Sequence, residues 1–196
     1  MAHCRHGAGP GGIVADSPHP ALGRITTLHT LGPPGTNCEL AAYRWFDRVG
    51  TSGGVVLYPT LEAAADRVVD SSSGALIVCS AYPELHTLIY SRLGQLRMVD
   101  CIMASTHNMV IARRRGTRNL ESISVHHAPA APVPDTFRTR LPATSNSAAA
   151  RSCRIGAADA CITTMPAAIR EALEITHDFG PIVLGFSVHI AIHAEL

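Results

Sequence analysis

The fold of this chain is decided by residues 30–42, which read Thr30-Leu31-Gly32-Pro33-Pro34-Gly35-Thr36-Asn37-Cys38-Glu39-Leu40-Ala41-Ala42. A rigid Gly-Pro-Pro-Gly turn here joins a predicted strand to a predicted helix. The spacing of Thr36 and Glu39 lets the threonine cap the N3 amide of the helix while the glutamate reaches back to the cap. The remaining N–H groups and the positive end of the helix dipole indicate a binding site for a small carboxylate or phosphate.

Outward from this turn, the sequence alternates between strand and helix patterns. Strands are expected at 25–31 and 54–58, and helices at 36–49 and 60–70. Residues 74–79 form a short, nearly all-apolar run, which is typical of a strand buried on both faces of a parallel sheet. The first third of the chain is therefore predicted to be an α/β unit.

Two further predicted strands, 96–103 and 108–113, follow each other without a helix between them. This succession predicts that the chain crosses into a second lobe near residues 104–107. A second strand and helix alternation is expected there, before the chain returns to the first lobe. Its predicted elements are strands at 122–126 and 159–163, helices at 147–154 and 166–175, and closing strands within 179–193.

The composition fits a soluble globular protein with two small lobes. Of the 196 residues, 46% are hydrophobic, 16% are charged and 5% are aromatic, and the formal net charge is +1. This balance argues against a nucleic-acid binder, and no apolar run is long enough to span a membrane. Six cysteines without a C-x-x-C pair predict reduced thiols in a cytoplasmic protein that binds no metal. The predicted parts are a flexible tail at 1–23, a first lobe of 24–103 plus 176–196, and a second lobe of 104–175.

A second helix start carries hydroxyl and amide side chains, in the stretch Ser145-Asn146-Ser147 before an alanine-rich run. Taken alone, this pattern is most often a plain N-cap. With one such helix start in each lobe, facing N-termini would grip the two carboxylates of a dicarboxylate without any arginine. Thr36, Asn37 and residues 145–147 are therefore predicted to bind a small carboxylate substrate.

Further candidates follow predicted strands, where ligand-facing residues of open α/β sheets lie. The hydroxyls of Ser80 and Tyr82 are expected either to bind a ring oxygen or to hydrogen-bond nearby backbone. His126 and His127 point to opposite faces if both continue a strand, so at most one enters the cleft, and His127 is the candidate general acid. His107, in the predicted crossing, is the second candidate.

These stretches resemble motifs of the prephenate dehydratases. Residues 31–36 are similar to the Gly-Pro-x-Gly-Thr segment near the start of that family, and residues 77–82 lie where it has Pro-Ile-Glu-Asn-Ser. Residues 127–129 resemble its Ser-His-Pro segment, and residues 145–149 resemble its Ser-Thr-Ala-Ala segment. The resemblance, which runs from about 27 to 188, implies a two-lobed α/β fold like type II periplasmic binding proteins, with substrate between the lobes and no ACT domain.

Two stretches depart from the dehydratase pattern. The family's Thr-Arg-Phe motif, whose threonine is thought to protonate the departing hydroxyl and whose arginine helps hold a carboxylate, is replaced by Val-Leu-Gly-Phe-Ser-Val-His at 183–189. Cys-Ser-Ala-Tyr at 79–82 replaces Glu-Asn-Ser. In pattern, the chain is similar to the stand-alone prephenate decarboxylases of specialised metabolism, of the bacilysin-pathway type, which lack Thr-Arg-Phe and carry Ala-Tyr after the buried strand. That group has a histidine where this chain has Ser80.

The resemblance therefore implies a cofactor-independent lyase that decarboxylates prephenate, or a related cyclic dienyl carboxylate, without aromatising the ring. Such an enzyme belongs to specialised metabolite or antibiotic biosynthesis. His127, or else His107, would donate the proton, and Ser80 and Tyr82 would contact the ring hydroxyl. Two alternatives stay open: a dehydratase or isomerase of another ring acid or its thioester, as in tropolone-type pathways, and a non-catalytic carboxylate-binding protein. A homodimer through an edge strand near the C-terminus is also expected.

Overall fold

The computed structural model of the protein describes residues 18–126 and 133–195, which form two mixed sheets with helices packed on them. The strands are β1 (Thr27–Leu31), β2 (Gly54–Tyr58), β3 (Gly74–Cys79), β4 (Leu96–Ser105), β5 (Met109–Arg113), β6 (Ser122–His126), β7 (Thr139–Ala143), β8 (Ala160–Thr164), β9 (Glu174–Gly180) and β10 (Val183–Ala191). The helices are α1 (Asn37–Val49), α2 (Leu61–Val69), α3 (Leu85–Tyr90), α4 (Asn146–Arg154) and α5 (Met165–Arg170).

The first sheet has the strand order β2-β1-β3-β10-β4. β1 pairs in parallel with β2 and β3, which confirms the α/β unit predicted for the first third of the chain. β3 is buried along almost its whole length, as its all-apolar sequence predicts. β10 pairs antiparallel with both β3 and β4, so it is an interior strand, and the edge strand nearest the C-terminus is β9.

The second sheet has the order β7-β6-β8-β5-β9 and is built from the chain between β4 and β10. The chain crosses between the sheets at residues 106–108 and returns at 181–182. The sequence prediction that residues 176–180 belong with the first lobe is wrong, because they lie in β9 and β9 pairs with β5. The predicted crossing is also slightly early, because β4 continues to Ser105.

The helix predicted at 166–175 is shorter in the structure, because α5 ends at Arg170. Ala172 follows with a φ of 52°, and the Leu173 N–H donates to the Ala168 carbonyl at 3.0 Å. This is the hydrogen bond of a Schellman motif, which closes a helix and turns the chain away from it. The residues beyond it are then free to form β9.

Neither β7 nor α3 was predicted, and the end of the predicted tail belongs to the fold. β7 contains Pro142, which is compatible with a strand because β7 lies at the edge of its sheet. α3 buries only Leu88, so it lacks the apolar period that identifies a helix in sequence. Ala21 and Leu22 are buried in the first lobe's core, so the last part of the predicted tail belongs to the fold.

Both sheets carry apolar clusters on both faces. On the first sheet, α1 covers one face with Trp45 and Phe46, while α2 covers the other with Leu61 and Val68. The second sheet is covered on one face by α4 and α5 and on the other by a cluster around Phe137. None of the helices within residues 18–126 and 133–195 has the length and hydropathy required to cross a bilayer.

Asp100 ties α1 to the edge strand β4. Its carboxylate accepts a hydrogen bond from Nε1 of the fully buried Trp45 at 2.7 Å and forms an ion pair with Arg48. It also accepts the Cys101 N–H at 2.9 Å, and the Asp100 side chain is only 15% exposed. The contact therefore combines a charge with the one polar atom of a buried indole.

We expect Asp100→Ala to lower the free energy of unfolding by about 1–3 kcal/mol, because it leaves the buried indole N–H without an acceptor. Urea denaturation followed by the fluorescence of the single tryptophan measures this loss. Asp66→Ala is the matched control: Asp66 pairs with Arg92 but is 67% exposed, so its removal costs at most about 1 kcal/mol. Equal losses in the two variants would contradict the expectation.

Ala172→Gly is expected to raise the free energy of unfolding by about 0.5–1 kcal/mol, because the left-handed conformation of Ala172 costs an L-residue about that much more than glycine. Thermal unfolding gives the sign. Ala167→Gly, within α5, should change stability in the opposite direction by about 1 kcal/mol. A loss of stability in Ala172→Gly would show that its Cβ makes contacts that outweigh the backbone strain.

Candidate functional site

The crossing segments bring the two sheets together at one place. The Thr106 N–H donates to the Ile182 carbonyl at 2.7 Å, and the Ile182 N–H donates to Thr106 Oγ1 at 3.1 Å. Here the turn at 32–36 and the end of β3 lie in the first lobe, and the N-terminal turn of α4 lies at the carboxyl end of β8 in the second. We call the space between these segments and the crossing the cleft.

The turn before α1 has the predicted cap with one change. Thr36 Oγ1 accepts the Glu39 N–H at 3.3 Å, as predicted, and donates to the Leu31 carbonyl at 3.0 Å. Glu39 reaches back to the N–H of Gly35 rather than to that of Thr36. The Thr36 hydroxyl is thus used within the turn, so only backbone N–H groups of the first helical turn remain for a ligand.

Asn37 connects this helix start to the crossing. Its Oδ1 accepts the His107 N–H at 3.0 Å, a contact that fixes the position of the crossing strand against α1. The role of Asn37 as a carboxylate ligand stays a prediction. The spacing of residues along the chain gives no sign of the contact, because its partners are far apart in sequence.

His107 lies half-buried beside the start of α1. Burial lowers the pKa of its imidazole from the usual 6.5, and the nearby Arg44 guanidinium lowers it further, while the Glu39 carboxylate acts in the opposite direction. The side chain is therefore mostly neutral at pH 7. His127, the other predicted proton donor, lies outside the described residues.

The end of β3 places its two candidates differently. Ser80 is exposed at the strand end, and its N–H donates to the Gly185 carbonyl at 2.9 Å. The Tyr82 hydroxyl donates to the Glu62 carboxylate, with O–O distances of 3.0 and 3.1 Å. Burial, together with this hydrogen bond, raises the pKa of Tyr82 to about 12. Ser80 is thus free to meet a ligand, whereas Tyr82 is held against α2.

The start of α4 has the predicted N-cap. Ser145 Oγ accepts the Ala148 N–H at 3.0 Å, and Ser147 lies half-buried in the first turn. The backbone carbonyl of Asn146 accepts a hydrogen bond from Thr163 Oγ1 at 2.6 Å, which holds the helix start against the end of β8. The side-chain Oδ1 of Asn146 is buried without a hydrogen-bond partner in the described structure, so it is an acceptor open to a donor.

The stretch 183–189 contains one hydroxyl, and it is engaged. Ser187 Oγ lies 2.8 Å from His189 Nε2, and His189 is only 3% exposed. Burial lowers the pKa of His189 to about 4, so this imidazole stays neutral at physiological pH. Phe186 is buried in the first lobe's core, and Gly185 contributes no side chain. No group in this stretch is therefore placed to give a proton to a substrate hydroxyl.

Arg170 was not singled out in the sequence, yet it reaches the cleft. It ends α5 in the second lobe, and its guanidinium lies against the backbone of Gly35 in the first. Sequence reasoning had no signal for it beyond a basic residue in a last helical turn. That the two helix starts bind the carboxylates without any arginine stays a prediction. Within residues 18–126 and 133–195, no group of three or more His, Cys, Asp or Glu is arranged to hold a metal ion.

No family model and no curated protein sequence gives a significant match to this chain. Several solved structures do match it. Prephenate dehydratase from Arthrobacter aurescens, in complex with L-Phe, superposes with a TM-score of 0.67 at 20% identity, over 85% of this chain and 60% of that one. Prephenate dehydratase from Staphylococcus aureus gives 0.61 at 14% identity, over 84% and 66%.

A periplasmic substrate-binding protein of an ABC transporter from Coxiella burnetii gives a TM-score of 0.51 at 16% identity, over 87% of this chain and 86% of that one. By contrast, the chain spans only 60% of the length of the Arthrobacter prephenate dehydratase. These likenesses concern the fold. The chain has the two-lobed α/β fold shared by prephenate dehydratase catalytic domains and type II periplasmic binding proteins.

Proposed function

We propose that this chain is a cofactor-independent lyase that decarboxylates prephenate, or a closely related cyclic dienyl carboxylate, without aromatising the ring. The fold supports a prephenate-related role. The observation that carries the non-aromatising reaction is the state of residues 183–189. Their one hydroxyl, on Ser187, is bound to a buried histidine, so the stretch lacks an acid for the loss of the substrate hydroxyl.

The reaction needs few groups. The bond from the ring to its carboxylate breaks and carbon dioxide leaves. The electron pair moves into the ring diene, a proton is added at the far carbon of the shifted double bond, and the ring hydroxyl stays in place. The protein then has to hold the substrate carboxylates, exclude water and deliver one proton.

The predicted site residues divide among these tasks. The starts of α1 and α4 hold the carboxylates, and the exposed hydroxyl of Ser80 is available for the ring hydroxyl. The proton comes from His127 or from His107, which lies beside α1. Participation in specialised metabolism and a cytoplasmic location are parts of the same proposal, as is a homodimer. The full set of proposed substrate contacts is Thr36, Asn37, Ser80, Tyr82, Ser145, Asn146 and Ser147.

A binding protein without chemistry is the second candidate, because a periplasmic substrate-binding protein shares the fold and covers nearly the same length. It predicts saturable binding of a ring carboxylate with no turnover. A dehydratase or isomerase of another ring acid, or of its thioester, predicts turnover of a seven-membered ring acid while prephenate is ignored.

Incubation of the purified protein with prephenate is expected to release carbon dioxide in stoichiometric amount with loss of the substrate, and to form no phenylpyruvate. The retained hydroxyl is the reason, because phenylpyruvate forms only when it departs. Carbon dioxide release and ultraviolet absorbance of phenylpyruvate are followed in the same sample. Phenylpyruvate as the main product would make the chain a dehydratase. If neither carbon dioxide nor phenylpyruvate forms, the lyase proposal is contradicted.

His107→Asn and His127→Asn are each to be compared with wild type, and replacement of the true donor should lower kcat by about 10²–10⁴. His86→Asn, an exposed histidine on α3, is the control and should leave kcat unchanged. If His107 is the donor, kcat/KM of the wild type rises as the pH falls from about 7.5, because its lowered pKa leaves few protonated molecules at neutral pH. A flat profile, with full activity in His107→Asn, would exclude it.

A further inference from the structure

The Arg170 guanidinium stands across the cleft, against the turn that opens α1. A Cβ placed on Gly35 would overlap Arg170 Nη2 and would lie 3.4 Å from Cζ and 3.7 Å from Nη1. Gly35 has a φ of +83°, a conformation that L side chains rarely adopt. The absence of a side chain at this position thus lets a cation of the second lobe approach the backbone of the first.

The guanidinium has no protein partner in residues 18–126 and 133–195, where it makes neither a hydrogen bond nor an ion pair. Other arginines of the second lobe are paired: Arg113 with Glu174 and Arg154 with Glu171. Arg170 is also exposed to solvent. An unpaired guanidinium keeps all five donors for a ligand, in a planar fork that matches a carboxylate.

A structural role explains part of this placement. A basic residue in the last turn of a helix complements the helix dipole, which contributes about 0.3–1 kcal/mol. That contribution depends on the position of Arg170 along α5 and not on the direction in which its side chain extends. It therefore leaves the contact with Gly35, in the other lobe, without an explanation.

The polar groups around Gly35 give a reason for the direction in which the Arg170 side chain extends. The polar side chains beside Gly35 are engaged: Glu39 accepts the Gly35 N–H, Thr36 is bonded to the Leu31 carbonyl and the Glu39 N–H, and Asn37 accepts the His107 N–H. None of these side chains is a cation, Glu39 is an anion, and the stretch 183–189 has no arginine. A ligand with two carboxylates needs a cation in such a site, because hydrogen bonds to charged groups are about twice as strong as neutral ones.

We propose that Arg170 is the residue that selects a dianionic ligand, binding one of its carboxylates from the second lobe while the first lobe holds the ligand from the other side. This inference rests on the proposed function for the identity of the ligand, prephenate. The guanidinium and the turn belong to different lobes, so a ligand held between them contacts both.

The test is isothermal titration calorimetry with succinate, a plain dicarboxylate, together with the KM for prephenate if it is turned over, or its Kd if it is not. Arg170→Gln should raise the Kd of succinate and the KM or Kd of prephenate by about ten- to a hundredfold, and Arg170→Lys, which keeps the charge but not the fork, should fall in between. Arg154→Gln is the matched control, because it removes the same charge from the same lobe and Arg154 is paired with Glu171. Its Kd should stay within about twofold of the wild-type value.

The outcomes separate the two proposals. Binding of prephenate without turnover, lost in Arg170→Gln, would overturn the proposed reaction and support the role of Arg170. Equal affinity in Arg170→Gln and wild type would overturn the role of Arg170, whatever the reaction is. Failure of the wild type to bind either prephenate or succinate would overturn both. An equal loss in the Arg154→Gln control would show that general surface charge, rather than Arg170, controls binding.

Discussion

The hydrogen bonds between the crossing segments hold the candidate site together. Thr106 and Ile182 exchange two hydrogen bonds, one of them through the Thr106 side chain, and Asn37 accepts a third from the next residue of the crossing. These contacts fix the register of one crossing strand against the other and against the start of α1. The distance between the two lobes' helix starts, and with it the size of ligand that fits, depends on them.

Local sequence patterns predict much of the fold, and the predictions that are wrong have physical causes. The all-apolar run of β3 and the Gly-Pro-Pro-Gly turn predicted their elements correctly because burial on both faces and turn geometry leave direct marks in sequence. β7 was missed because Pro142 is excluded from strands except at an edge, and sequence does not say which strand is at the edge. The end of α5 was misplaced because Ala172 takes a conformation usually left to glycine.

The contacts of the candidate site likewise divide into local ones, which the sequence predicts, and long-range ones, which it does not. The caps at Thr36 and Ser145 were predictable, since both partners of each hydrogen bond lie within one helical turn. The contacts of Asn37 with His107, of Tyr82 with Glu62 and of Arg170 with Gly35 join residues distant in the chain. No spacing rule covers such pairs, because they depend on how the lobes are placed. The sequence therefore predicts the two helix starts but gives no sign of the arginine beside one of them.

The interior position of β10 has a consequence for how the protein forms. This strand lies between β3 and β4, yet it follows the whole second sheet in the chain. During synthesis, β3 and β4 therefore wait without their common neighbour until residues 183–191 have left the ribosome, whereas the strands of the second sheet are contiguous in sequence and can pair earlier. The second sheet can therefore be completed before the first, although the first begins the chain.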